Sequence, residues 1–159
     1  MKPEKPRFPR IGILAALVTV AALALAPAAG AKTQTLTGET KVAKVTGKGQ
    51  NLAIKVVVAL KRGNRNVGGL NFPACGSGGL SEICGGTLNL KGLGTGLSVL
   101  FTWNCQVKQS GGTTCAKSVT SPISDAAGVN RGSITLKTGP PVGSGLQKGK
   151  TFKVKVSTA

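Results

Sequence analysis

Residues 96–115 read GLSVLFTWNCQVKQSGGTTC. Leu97, Val99, Phe101, Trp103, Cys105 and Val107 occupy alternate positions, with Ser98, Thr102, Asn104 and Gln106 between them. A period of two is the signature of a half-buried strand, because successive side chains leave a pleated backbone on opposite faces. Ser110 and Gly111 then supply a turn, and a hairpin centred there sets Cys105 opposite Cys115. Opposed residues in a non-hydrogen-bonded antiparallel pair lie about 4.5 Å apart at Cα, within the span of a disulfide. This stretch therefore predicts two strands, a tight turn and a covalent staple.

The same period recurs along the chain. Leu52, Ile54, Val56, Val58 and Leu60 share one face of NLAIKVVVAL, Ile134 and Leu136 point inward in RGSITLK, and Phe152, Val154 and Val156 alternate with Lys153 and Lys155. Weaker strands are expected in TQTLTGETKVAKV, GGLNF and GTLNLKGL. Glycine-rich turns separate these runs, and KRGNRN after Leu60 predicts a hairpin to a strand beginning at Val67. No long window keeps a helical period, although SPISDAAGV after Pro122 could hold one helical turn. The expected fold is all-β: a single antiparallel sandwich or barrel of about six to eight short strands, preceded by a signal-peptide helix. The outward faces lack the aromatic girdles of a membrane-spanning barrel.

The N-terminus supports that prefix. Lys2, Lys5, Arg7 and Arg10 precede an apolar run from Ile11 to Ala26. Ala29 and Ala31 then offer the small residues that signal peptidase accepts, which places cleavage before Lys32. The run is shorter than a membrane span and is closed by Pro27, and neither a twin-arginine pair nor a lipid-bearing cysteine accompanies it. Residues 1–31 are expected to be a Sec-type signal peptide and residues 32–159 a single domain, secreted or held in the cell envelope.

Export to an oxidising compartment makes the cysteines structural. Zinc sites want C-x2-4-C spacing or histidines, and thioredoxin-like redox pairs want C-x-x-C. This chain has no histidine, and its cysteine pairs enclose residues 76–83 and 106–114. With Cys105 opposite Cys115, Cys75 is left to join Cys84.

Reactive groups are scarce. Acid-base catalysis near neutral pH usually relies on histidine. Asp and Glu together number four in the whole chain, against 21 Lys and Arg, for a formal net charge of +17. Beyond the leader the acids are Glu39, Glu82 and Asp125. Two of these could form the carboxylate pair of a secreted hydrolase, but Asp125 in SPISDAAG reads first as a turn or cap residue. GSGLQKGKT at 143–151 misses the phosphate-binding loop by one position and runs into an alternating strand instead of a helix. No catalytic residue, metal ligand or cofactor is expected.

The remaining lead is charge. Lys148, Lys150, Lys153 and Lys155 cluster near the C-terminus, and Lys137 falls beside them if the preceding strand pairs there. Phe72, Phe101, Trp103 and Phe152 are the aromatic residues beyond the leader; three of them fall on inward faces and read as core, which leaves few aromatic platforms for sugars or bases. The expectation is an exported, non-catalytic cationic module. Its partner would be an anionic envelope polymer, an acidic lipid surface or extracellular nucleic acid. Lysines that merely keep an edge strand soluble are the plainer reading.

Overall fold

A computed structural model describes residues 31–47, 53–78, 80–141 and 146–159. The expected export segment, Ala29 included, lies outside these residues; Ala31 and Lys32 are described and exposed.

The described chain is all β. Its strands are β1 (Thr33–Thr46), β2 (Ala53–Arg62), β3 (Arg65–Gly78), β4 (Ser81–Leu90), β5 (Gly94–Val107), β6 (Thr113–Cys115), β7 (Val119–Ser124), β8 (Asn130–Leu136) and β9 (Thr151–Thr158). The sheet runs β4-β3-β2-β1-β9-β8-β7-β5-β6, every pairing is antiparallel, and β4 also pairs with β5. That last contact closes eight strands into a barrel. β6 is an extra short strand on the free end of β5.

Closure sorts the alternating side chains into two sets. Val56, Val58 and Leu60 of β2, Phe101 and Trp103 of β5, Ile134 and Leu136 of β8, and Val154 and Val156 of β9 are all fully buried inside. An interior packed with aliphatic and aromatic groups is a core rather than a channel. Phe101 meets Phe72 edge to face there, with ring centroids 5.7 Å apart, and Trp103 at a tilt, with centroids 6.0 Å apart. Phe72, Phe101, Trp103 and Phe152 are each at most 7% exposed.

Several local expectations change. The β2–β3 hairpin is tighter than KRGNRN implied: Arg62 pairs with Arg65 across Gly63 and Asn64, and Gly63 takes the positive φ of 60° that such a two-residue turn requires. No helical turn forms at SPISDAAGV. Val119, Ser121 and Ile123 alternate inward as β7, and Asp125 Oδ1 accepts the N–H groups of Ala127 and Val129 at 2.9 Å each, which makes a turn instead.

Hairpin geometry predicted Cys105 with Cys115 and left Cys75 for Cys84, and both pairs are bonded. Cys75 joins Cys84 across β3 and β4 with Cα atoms 4.3 Å apart, and Cys105 joins Cys115 across β5 and β6 at 3.9 Å. Both staples lie toward the end of the barrel that the β8–β9 connection crosses. That connection carries Leu146 fully buried into the core, and the Thr138 carbonyl accepts the Trp103 indole N–H at 2.9 Å.

Candidate functional site

The outer wall over β1, β9, β8 and β7 follows directly from strand register. Directly opposed residues share a face. Lys155 of β9 therefore lies between Thr35 of β1 and Thr135 of β8, and Thr135 in turn faces Thr120 of β7. One row along, Lys153 lies between Thr37 and Lys137, whose backbone N–H donates to the Lys153 carbonyl at 2.9 Å. Beyond Thr37 comes Lys61 of β2. On the other side of the Lys155 row, Thr33 faces Ser157 and Ser157 faces Ser133.

The result is a grid of ammonium and hydroxyl groups. Strands are spaced about 4.8 Å apart and same-face residues along one strand about 6.7 Å apart. Hydroxyl contacts tie parts of it together, with Thr120 to Thr135 at 2.8 Å and Thr33 to Ser157 at 3.2 Å. Serine and threonine hydroxyls both donate and accept, whereas each ammonium offers three donors and a charge. Such a surface suits an oxyanion-bearing ligand.

One carboxylate adjoins the grid, and it is already engaged. Glu39 binds Lys41 Nζ at 2.7 Å and Lys61 Nζ at 2.6 Å. Hydrogen bonds from Lys41 and then Lys61 hold its carboxyl at about 2, down from an ordinary 4.5. The other described salt bridge joins Arg131 to Asp125 at 2.8 Å. Asp125 also sits below the usual carboxylate range, chiefly because the Val129 N–H donates to it, with Arg131 and the Ala127 N–H adding to the effect. None of the described ion pairs uses Lys137, Lys153 or Lys155.

The five lysines singled out in the sequence fall into two groups. Lys137, Lys153 and Lys155 share the outer face of the β8–β9 pair. Lys148 and Lys150 lie at the rim, where the Gly149 N–H donates to the Thr40 carbonyl at 2.8 Å and the Thr40 N–H donates to the Lys150 carbonyl at 3.0 Å. Lys150 and Thr151 lead into β9 rather than into a helix. The threonine rows of β1 belong to the same face and went unrecognised in the sequence, although the alternation of Thr33, Thr35 and Thr37 was visible there.

The three acids considered for a hydrolase do not converge. Glu39 is on the outer wall of β1. Glu82 is buried on β4, opposite Trp103 near the stapled end, and Asp125 closes the β7–β8 turn at the other end. A cleft of about 320 Å³ beside the β4–β5 turn is lined by Val67, Leu90, Lys91, Leu93 and Thr95 among others, and by none of those acids. Among the described residues no three His, Cys, Asp or Glu side chains gather as a metal site would need. Comparison with known protein families, curated proteins and solved structures finds no match for this chain.

Proposed function

We propose that this chain is an exported, non-catalytic barrel whose β1–β9–β8 face docks on an anionic polymer of the cell envelope or extracellular space. The observation that carries the reading is the register around β9. It places Lys137, Lys153 and Lys155 together among hydroxyls, and no described salt bridge neutralises them.

Other features select among polyanions. Single-stranded nucleic acid is usually gripped by aromatic stacking, and the aromatic side chains of residues 31–159 are all in the core. Insertion into an acidic lipid surface would want apolar groups beside the charges. Val42, Val45, Leu80, Ile83, Leu100, Val107 and Val129 are the exposed large apolar residues, and none stands in the lysine rows. Phosphate or sulfate groups along a flexible polymer remain the best chemical fit, met by point charges and hydroxyls. Two disulfides accord with an oxidising compartment outside the cytoplasm.

Titration of the oxidised protein with inorganic polyphosphate, followed by amide chemical shifts, tests the location. Changes concentrated at Thr35, Thr37, Thr135, Lys137, Lys153 and Lys155 support it. Changes spread evenly over the basic residues of the whole barrel would reject it.

A further inference from the structure

β1 runs on past the end of one of its two neighbours. β9 accompanies it from Thr33 to Glu39, whereas β2 continues beside it to Thr46. The chain leading into β9 reaches β1 last at Thr40, and the β1–β2 register then slips between Thr40 and Val42. From Lys41 to Thr46 one edge of β1 has no strand beside it among the described residues. A strand offers its N–H and C=O groups to its two sides in turn, so every second residue here presents a donor and an acceptor that no strand among the described residues meets.

The side chains of this stretch are equally open. All six residues are exposed, Val42 at 39% and Val45 at 59%. Lys44 stands directly opposite Lys55 of β2, and none of the described ion pairs reaches either one. Like charges directly opposed across a ladder repel. A carboxylate on a third strand, next to Lys44, would relieve that repulsion.

We propose that the Lys41–Thr46 edge takes up an extended acidic segment of a partner protein as an added strand. Main-chain hydrogen bonds to the open edge would supply affinity, and alternating side chains would supply specificity. The register asks for a carboxylate beside Lys44 and apolar residues beside Ala43 and Val45. A second copy of this chain is a poor occupant, since pairing the same edges brings lysine toward lysine. The same charge that keeps copies apart therefore selects an acidic strand. This site shares no residue with the Lys137, Lys153 and Lys155 face, so either can fail alone.

The probe is a capped hexapeptide alternating valine and glutamate, added to the oxidised protein and followed by amide hydrogen exchange and by fluorescence anisotropy. Alternate amides between Lys41 and Thr46 should slow by roughly tenfold on binding. The same peptide N-methylated along one edge keeps its charge and loses its donors, and should bind roughly tenfold more weakly. The exposed double variant K44E/K55E should lose the glutamate peptide and gain one alternating valine and lysine. Equal binding of the N-methylated peptide, protection confined to other strands, or indifference to K44E/K55E would overturn the proposal. So would full protection of these amides in the free protein, which would mean that its own chain or a second copy already covers the edge.

Discussion

The Trp103 indole N–H donates to the Thr138 carbonyl at 2.9 Å inside the barrel, where Trp103 is fully buried and Thr138 is 6% exposed. This bond ties β5 to the β8–β9 connection, which begins at Lys137 and leads into the strand that carries Lys153 and Lys155. W103F keeps an aromatic ring but leaves the carbonyl without that donor and opens space beside it. A loss of about 2–3 kcal/mol is expected in denaturant unfolding, from the unmade hydrogen bond and the lost packing together.

The two disulfides should separate under mild reduction. Cys75 and Cys84 are 2% and 0% exposed, while Cys105 is 8% exposed and Cys115 is only half-buried on the short outer strand β6. Thiolate attack needs access to sulfur. Mass spectrometry after timed alkylation should find Cys105 and Cys115 labelled first. Replacing either pair with alanine is expected to cost about 2–3 kcal/mol, given loops closed over separations of only 9 and 10 residues.

Glycine at position 86 is a packing requirement. A β-carbon there would collide with the Asn71 carbonyl oxygen and lie 2.9 Å from Phe72 Cδ1, beside the irregularity of β3 between Asn71 and Ala74. G86A should therefore destabilise the barrel by about 2–3 kcal/mol. Gly76 on the same pair of strands meets nothing within 4 Å, so G76A should stay within about 0.5 kcal/mol of the parent. Equal effects from the two substitutions would contradict the register of β3 and β4.

Glu39 sets an acid limit on the outer wall. Its carboxyl ionises at about 2 in the folded chain, below its ordinary 4.5, so its bonds to Lys41 and Lys61 contribute fully above about pH 4.5. That contribution is lost as pH falls toward 2. The difference in unfolding stability between the parent and E39Q should accordingly be steady at neutral pH and shrink between about pH 4.5 and 2. A difference that grows on acidification would contradict the pairing.

Much of this architecture was written in short-range pattern. Phe152, Val154 and Val156 alternate with Lys153 and Lys155 so regularly that the two faces of β9 follow from the pleat alone, and the Cys105–Cys115 register follows from a turn centred midway. What pattern could not supply was long-range. Thr33–Glu39 at one end of the described chain pairs with β9 at the other, and this pairing brings the threonine rows beside the lysines.

The barrel seam between β5 and β7 was also hidden. One ladder pair, Ser98 with Ser124, is joined there by a side-chain substitute, the Leu100 N–H donating to Ser121 Oγ at 2.8 Å. Pro122 in the next position suggested a helix start, yet it lies in a strand. Leu146, isolated among glycines, gave no period by which to foresee its burial.

The central claim is that a particular face, rather than bulk charge, binds the polymer. The most direct measurement compares K137Q/K153Q/K155Q with the charge-matched K91Q/K108Q/K117Q, three exposed lysines outside both proposed sites, recording affinity for inorganic polyphosphate against salt concentration. If the face is the site, the first variant should bind at least tenfold more weakly, and its slope of log affinity against log salt should fall by about two. The second should stay close to the parent. Equal losses in the two variants would contradict the account and leave only a uniformly basic barrel.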